Sequence, residues 1–478
     1  MACKFPINVT VASCELKCAG VSPSNFTRYK TMADTSFTAL RGTIVSFTGD
    51  PFLVDPARAL LHEPDGLIVC RDGVIESVGP YDTLRGSLPA DAPITDYSGC
   101  ILSAGFIDTH VHYVQTGVIA SPGKQLLQWV TDYVYPAEEA FADEAHARKV
   151  ARVFCDALLR NGTTTACVYC AVYPQSVDAL FAEAMRRNMR LVAGKCMMDR
   201  NVPKALRDTA KTGYDQSKAL ISKWHGKGRL GYAITPRWAG SSTPAQLEAA
   251  GALWREYPGL ALQTHIAENR DEVAFIASLF PERKDFLDVY DHYGLVRRRT
   301  VLGHGIWLSD SEFARVHERE ASIAHCPTSN LFLGSGRFRL RVAKDPKRPI
   351  RVGLGTDIGA GTSLSLLATL NEAYKIAALN SGPMTAVEGL YLATLGGAEA
   401  LGVEDRIGSL QVGREADIVV LDPKATPLLA FRNDRSRSLE ETLFVLLTLG
   451  DDRAVRATYL AGAFAHAEPA CNDSYRMK

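Results

Sequence analysis

An α/β architecture is predicted from the sequence: a (β/α)8 TIM-like barrel with a second, smaller domain rich in β-strands. At 478 residues the chain is too long for one small core, which favours a large barrel plus a smaller domain. The middle of the chain alternates short apolar β-runs with longer helical stretches, as parallel β-α units do. Both ends instead carry short β-like runs separated by turns.

Eight apolar runs in the middle of the chain are predicted to be the barrel strands. Each is followed by a segment with helical spacing, and eight strands with crossover helices are typical of a closed (β/α)8 barrel. In chain order the runs are "FIDTHV", "TTTACVY", "RLVAGKC", "RLGYAIT", "LALQTH", "TVLGH", "ASIAH" and "IRVGLGT".

Two of the intervening helices carry start signals. In "TPAQLEAAGALWREYP" Thr243 is the expected N-cap, Pro244 occupies the first helical position, and Gln246 is expected to complete a capping box. Ser309 and Glu312 repeat this pattern in "SDSEFARVHERE". Both segments are therefore predicted to be crossover helices of the barrel.

The pattern of short β-like runs separated by turns begins near residue 40. It returns close to the end of the chain, in "GSLQVGREADIVVLD" and "VRATYLAGAFAH". We predict residues 32–103 and 401–470 to be the two parts of the smaller domain, and residues 104–400 to be the barrel. Residues 1–31 resemble neither part and are expected to be a disordered extension or a misannotated start. Residues 471–478 are expected to be a tail.

The charge, hydropathy and cysteine content of the chain restrict the classes of function that it can have. Lysine and arginine number 53, as do aspartate and glutamate, so the formal net charge is zero and nothing favours binding to nucleic acid or to an anionic membrane. The longest apolar stretches, such as "TLFVLLTLG", are too short to span a bilayer. Eleven scattered cysteines in a large chain favour reduced thiols and a cytoplasmic location.

Metal-ligand residues stand where several of the predicted strands end. In a barrel of this kind the carboxyl ends of all strands meet at one mouth, where active sites are built. Four imidazoles and one carboxylate suit a divalent ion such as zinc, which activates water as a nucleophile at neutral pH. The predicted ligands of one metal ion are His110, His112, His265, His304 and Asp357.

Two acids are candidate catalytic groups. Glu268 follows His265 by three residues and could move protons between the water and a substrate. Asp357 could accept a proton from the water besides binding the ion.

His325, at the end of the seventh run, could be a ligand, a residue that orients a ligand, or a structural residue, and we favour the second. Lys195 lies on the third run, whereas a metal-bridging lysine usually follows the fourth, so we predict one ion.

Three further residues are predicted to contact the substrate. Arg237, in "TPRW" at the end of the fourth run, suits a carbonyl oxygen or an anion. Gln115, just after the histidine pair, can both donate and accept hydrogen bonds. Trp238 could cover a flat ring. Together they suit a heterocycle that presents adjacent carbonyl and N–H groups.

With these residues in view, the chain resembles the amidohydrolase superfamily, and within it the guanine deaminase family, over roughly residues 40–467. The superfamily likeness lies in "GFIDTHVH", "THIAEN", "GHG" and "GLGTD". The closer likeness lies in "HVHYVQTG", "LLQWVTDYVYPAEEAF", "NGTTTACVY", "ITPRW", "QTHIAENRDEV", "SIAHCPTSNLFLGSG", "GLGTDIGAGTSLS", "LATLGGAEALG" and "LTLGDDRAVRATYLAG". Trp238 departs from the pattern, in which phenylalanine follows the arginine.

The resemblance implies a zinc-dependent barrel beside a small β-sandwich formed from both chain ends, and a homodimer. It implies hydrolysis of guanine to xanthine and ammonia, in purine catabolism or salvage, by attack of zinc-activated water at C2. Glu268 carries over as the proton shuttle that protonates N3. Gln115 and Arg237 carry over as purine contacts.

Other functions remain open at this point. A related aminohydrolase acting on 8-oxoguanine, an adenosine derivative or a triazine would share fold and metal, and fold alone cannot choose between them. A cyclic-amide hydrolase is disfavoured because the bridging lysine is missing. A non-catalytic scaffold should have lost ligands, yet all five candidates are present.

Overall fold

A barrel of parallel strands forms the centre of the described chain. The structure, a computed structural model, describes residues 36–123 and 125–467. The strands within these residues are β1 Phe37–Phe47, β2 Leu60–Arg71, β3 Val74–Pro80, β4 Thr95–Ala104, β5 Phe106–His112, β6 Thr163–Cys170, β7 Arg190–Met197, β8 Gly231–Pro236, β9 Ala261–Ile266, β10 Thr300–His304, β11 Ser322–His325, β12 Arg351–Leu354, β13 Ile418–Leu421, β14 Val455–Leu460 and β15 Ala463–Ala467.

Strands β5 to β12 coincide with the eight predicted runs and lie side by side in chain order. Each pairs with the next in parallel. The first and last strands meet as well, since the Thr109 hydroxyl donates to the Leu354 carbonyl oxygen at 2.9 Å and the Asp357 N–H donates to that of His110 at 2.8 Å. The predicted (β/α)8 barrel is therefore confirmed.

Helices pack around this barrel and cover its outer face. Within the described residues the α-helices are α1 Pro56–Ala59, α2 Tyr81–Arg85, α3 Leu126–Trp129, α4 Tyr135–Glu139, α5 Glu144–Arg160, α6 Pro174–Arg187, α7 Ala210–Trp224, α8 Pro244–Glu256, α9 Arg270–Leu279, α10 Phe286–His292, α11 Asp310–Glu318, α12 Pro327–Phe332, α13 Leu340–Ala343, α14 Leu366–Leu379, α15 Ala386–Ala393, α16 Leu395–Leu401, α17 Pro427–Asn433 and α18 Leu439–Leu449. No helix among the described residues is both long and apolar enough to cross a membrane.

The two predicted helix starts have different outcomes. The capping box of Ser309 and Glu312 is confirmed at the start of α11. At the start of α8, Thr243 caps the helix by accepting from the Gln246 N–H, but the predicted return bond from the Gln246 side chain is wrong. The Thr243 N–H donates instead to Asp199 Oδ1 at 2.7 Å, which leaves the buried Gln246 amide without that role.

The second sheet confirms a smaller β-domain built from both chain ends. It contains seven strands in the order β15-β14-β13-β4-β1-β2-β3, so segments some 300 residues apart in the chain are hydrogen-bonded neighbours. The pairing of β1 with β2 shifts in register between Gly42 and Ile44, which marks a β-bulge that bends the strand. The domain boundaries at residues 103, 400 and 470 stay predictions. Those made for residues 1–31 and 471–478 lie outside the described residues.

A buried network of charges ties this domain to the amino-terminal ends of the barrel strands. Arg229, just before β8, donates through Nε to Glu415 Oε2 at 2.8 Å and pairs with Asp417 through Nη2. Arg190, at the start of β7, pairs with Glu415 as well. Asp417 also accepts from the Ala461 N–H at 2.9 Å. These contacts lie at the end of the barrel away from the strand carboxyl termini, where side chains serve stability rather than chemistry.

Asp417→Ala is expected to lower the free energy of unfolding by about 3 kcal/mol, because it leaves a buried guanidinium and a backbone N–H short of a partner. Urea unfolding of the purified protein measures this. Asp451→Ala is the control, since its partner Arg453 is 66% exposed and such a surface pair contributes at most about 1 kcal/mol. Equal effects from the two variants would contradict a stabilising role for the network.

Candidate active site

The five predicted metal ligands come together at the carboxyl-terminal mouth of the barrel. Donor atoms of His110, His112, His265 and Asp357 all lie within 4.8 Å of one another. His304 joins them, because its Nε2 lies 3.8 Å from Asp357 Oδ2. Both His304 and Asp357 have positive φ, 70° and 51°, a left-handed conformation that costs energy for a residue with a side chain. Such strain is typical of functional positions, where surrounding structure holds it in place.

The surroundings of the ring nitrogens fit a cation at the centre of this cluster. His265 Nδ1 donates to the Arg237 carbonyl oxygen at 2.7 Å, and His304 Nδ1 donates to Asn330 Oδ1 at 2.9 Å. Each bond leaves the other nitrogen, Nε2, with a free lone pair. The Nε2 atoms of His112 and His265 face each other at 3.1 Å. His304 Nε2 and both nitrogens of His110 are buried with no hydrogen-bond partner, which is costly unless an ion binds there.

The protonation states agree with this arrangement. Burial lowers the pKa of His112 to about 3 and that of His265 well below its usual range. Burial disfavours the carboxylate of Asp357, but the nearby His110 and His112 rings, whose Nε2 atoms lie 3.3 and 3.4 Å from its Oδ1, outweigh burial and hold its pKa well below the usual value. Neutral imidazoles and an ionised carboxylate are the forms that bind a metal ion.

A glycine makes room for this cluster. A Cβ atom on Gly303, in "TVLGH", would lie 2.6 Å from Cε1 of the His110 ring. Only glycine therefore lets β10 pass so close to that imidazole.

Glu268 lies above the cluster, as predicted from its spacing. Its Oε2 is 3.5 Å from His304 Nε2, and its Oε1 accepts from the Ser335 hydroxyl at 3.2 Å. Burial, and then the charge of Asp357, raise the pKa of Glu268 to about 8. The backbone N–H of Glu268 donates to Glu272 at 2.7 Å, so the start of α9 holds the acid in place. A carboxyl with such a pKa can both accept and release a proton near neutral pH.

A cavity of about 240 Å³ opens over the cluster and contains the three predicted substrate contacts, Gln115, Arg237 and Trp238. Apolar side chains from the 126–134 segment line its other wall, together with Phe275. The Trp238 ring centre lies 6.0 Å from that of Phe275. The indole packs against Gly240, where a Cβ atom would come within 2.5 Å of it. The chemistry of this lining suits a flat, partly polar molecule.

His325 and Lys195 take no direct part in the cluster. His325 is buried at the end of β11, its ring centre 4.9 Å from that of Phe338, and its two ring nitrogens make no hydrogen bond within the described residues. The favoured role of His325 as a residue that orients a ligand therefore has no hydrogen bond to support it and stays a prediction, whereas Asn330 does accept from the predicted ligand His304. Lys195 is also buried, and its Nζ forms an ion pair with Asp208 Oδ2 at 2.5 Å. Its charge is therefore paired outside the cluster.

Sequence reasoning missed Glu138, Asn330 and Ser335. Glu138 is fully buried behind Arg237 and Gln115 and hydrogen-bonds to both. The only sequence signal was that each stands in a segment of the family likeness.

A cluster of imidazoles and a carboxylate at the mouth of a (β/α)8 barrel, with an acid above it, defines a metal-dependent hydrolase. The family model for the amidohydrolase family matches residues 101–463. The chain belongs to the amidohydrolase family, and this family is metal-dependent.

Within that family the chain is similar to guanine deaminases. It is 47% identical over 431 residues to the guanine deaminase of Escherichia coli strain K12, covering 90% of this chain and 97% of that one. The solved E. coli guanine deaminase structure has a TM-score of 0.88 at 46% identity, covering 90% of this chain and all of the other. The guanine deaminase of C. acetobutylicum, solved with guanine bound in the active site, has a TM-score of 0.81 at 28% identity and the same coverage.

Proposed function

We propose that this chain is a guanine deaminase, which hydrolyses guanine to xanthine and ammonia and acts in purine catabolism or salvage. The observation that carries the proposal is a single cavity in which the metal-ligand cluster, Glu268 and the polar pair Gln115 and Arg237 meet. The similarity to guanine deaminases over 90% of the chain supports it.

The proposed ligands of one zinc ion are His110, His112, His265, His304 and Asp357. Their neutral imidazoles and single carboxylate match the donors that zinc takes in catalytic sites. An ion held there supplies a hydroxide nucleophile at neutral pH. Asp357, ionised inside the cluster, helps to remove the proton of the attacking water.

Glu268 is the proposed proton shuttle. It takes up the proton released by the attacking water and delivers it to ring N3 as C2 becomes tetrahedral. The pKa of about 8 allows both halves of this transfer near neutral pH. The remaining proton of the water, on the C2 hydroxyl, then passes to the amine. The C2–N bond breaks as the C2 carbonyl forms, and ammonia leaves, which yields xanthine.

Arg237 and Gln115 are proposed to bind the polar edge of guanine. A guanidinium donates to a carbonyl oxygen, and an amide can donate and accept at adjacent ring positions. Trp238 is proposed to cover a face of the ring. An indole in place of the family's phenylalanine keeps a flat surface but changes the width of the cavity.

Two further proposals concern the cellular location and the oligomeric state of the protein. The chain is proposed to be cytoplasmic, since its scattered cysteines suit a reducing compartment. It is also proposed to be a homodimer, because the family resemblance implies one. Sedimentation of the purified protein at several concentrations tests the second.

The alternatives are not favoured. Aminohydrolases that act on 8-oxoguanine, adenosine derivatives or triazines share the fold, whereas the relatives at high identity are guanine deaminases. The test is ammonia release from purified, metal-replete protein supplied with guanine, 8-oxoguanine or adenosine in separate reactions. We expect guanine to be converted fastest, with xanthine as product. Bound metal without ammonia release from guanine would refute the proposal.

Asn330→Ala is expected to lower metal affinity about 10- to 100-fold, because it removes the acceptor that orients His304. Competition with a chelator of known affinity measures the change. The control is Asn371→Ala on α14, away from the cluster. Unchanged metal affinity in Asn330→Ala would argue against His304 as a ligand.

A further inference from the structure

A buried carboxylate lies directly behind the two proposed purine contacts. Glu138, on the short helix α4, has no exposed surface and does not line the cavity. Arg237 Nη1 donates to its two oxygens at 2.6 and 2.7 Å. Gln115 Nε2 donates to Glu138 Oε1 at 3.1 Å. One carboxylate thus contacts both polar side chains that face the substrate space.

These bonds set the direction of the Gln115 amide. Its Oε1 accepts from the Gly359 N–H at 3.1 Å, while its Nε2 donates to Glu138. Turning the amide over would place N–H against N–H and oxygen against carboxylate, so one orientation is strongly favoured. A Cβ atom on Gly359 would lie 2.8 Å from the Gln115 carbonyl oxygen, which shows how closely the segments after β5 and β12 pack here. One N–H and one lone pair of the amide remain for a ligand.

The same carboxylate fixes the Arg237 guanidinium. Both oxygens of Glu138 engage Nη1, so Nη2 and Nε stand outside this ion pair on a side chain that lines the cavity. Arg237 is only 6% exposed, so its charge requires a nearby counter-charge. Glu138 supplies it, and the polar end of the cavity is thereby suited to a neutral base rather than an anion.

We propose that Glu138 is a positioning residue that orients Arg237 and Gln115 and so sets the preference for a 6-oxo purine. This inference rests on the proposed function, since it concerns how guanine is selected. Glu138 itself contacts no substrate and takes no part in proton transfer. Its loss should weaken recognition of the base more than the chemical step.

The test is Glu138→Gln, which keeps the shape and removes the charge. We expect KM for guanine to rise at least about tenfold, as loss of charge-assisted hydrogen bonds implies, with kcat within about threefold of wild type. The variant and wild type are also given 2-aminopurine, which carries the 2-amino group but lacks the 6-oxygen. The preference in kcat/KM for guanine over 2-aminopurine should fall about tenfold, a change that a merely destabilised fold would not produce.

Glu139→Gln is the matched control, because it makes the same change one residue further along the same helix. Glu139 makes no hydrogen bond to Arg237 or Gln115 among the described contacts, so both constants and the substrate preference should stay at wild-type values. If Glu138→Gln does not fold, Glu138→Asp keeps the charge and shortens the reach. It is expected to reduce the same preference.

The outcomes separate this inference from the proposed function. Wild-type protein that converts guanine, with variants at Glu138 that keep the wild-type preference over 2-aminopurine, overturns the positioning role alone. A kcat that falls about tenfold or more at unchanged KM also overturns it, because Glu138 would then serve the chemical step. Wild-type protein that does not convert guanine overturns both.

Discussion

Replacing Glu268 with glutamine is expected to remove nearly all guanine deamination while the metal ion stays bound. Glutamine keeps the size of the side chain and can still accept from the Ser335 hydroxyl, but it cannot take up and deliver a proton. Positioned acid–base groups contribute about 10²- to 10⁴-fold to a rate, and here one group serves both transfers, so a loss near the upper value is expected. Ammonia release at saturating guanine measures it.

Metal content and guanine binding are measured on the same preparation. Both are expected to stay near wild-type values, because Glu268 is not one of the proposed ligands. Glu272→Gln is the matched comparison: Glu272 is also buried and close by, and it accepts from the backbone N–H groups of Glu268 and Asn269, bonds that a glutamine oxygen can still accept. Its effect should be much smaller. A Glu268→Gln enzyme within about tenfold of wild type would exclude the shuttle role.

Stripping the metal ion is expected to abolish activity and to lower the melting temperature together. Without the ion, three buried imidazoles, the partly buried imidazole of His265 and a carboxylate face one another across a few ångströms, with several nitrogens unpaired. An ion present at about a thousand times its Kd would stabilise the folded chain by about 4 kcal/mol. Chelation followed by thermal denaturation and an ammonia assay measures both losses.

Readdition of one equivalent of zinc per chain should restore both properties. A requirement for two equivalents would contradict the proposed single ion, and recovery with iron but not zinc would change its identity. Asp357→Asn is the companion variant, because it removes the negative charge from the cluster at nearly constant volume. It should bind the ion weakly and regain little activity at any zinc concentration that the folded protein tolerates.

The barrel could be predicted because its determinants are local. Each strand is a short apolar run, and a buried parallel strand needs little else in its sequence. The candidate metal ligands could be predicted from the strands, since the barrel brings all strand ends to one mouth. Spacing alone also placed Glu268, three residues beyond His265.

What could not be predicted depends on contacts between distant segments. Glu138 and Glu139 are adjacent acids, and nothing local tells that Glu138 is the one that meets Arg237, which lies 99 positions away. The capping box at Thr243 failed for the same reason. Asp199, 44 positions earlier, takes the N–H that Gln246 was expected to bind. Hydrogen bonds between segments that are distant in sequence override the pattern of neighbouring residues.

Arg237 combines two duties that belong to different parts of one residue. Its side chain lines the cavity, while its main-chain oxygen accepts from His265 Nδ1. Every amino acid has that oxygen, so a substitution at position 237 keeps the acceptor for the imidazole, although it would leave the buried Glu138 without its charged partner. A change of substrate preference at this position, engineered together with residue 138 or acquired by mutation, would therefore retain the main-chain bond that orients His265.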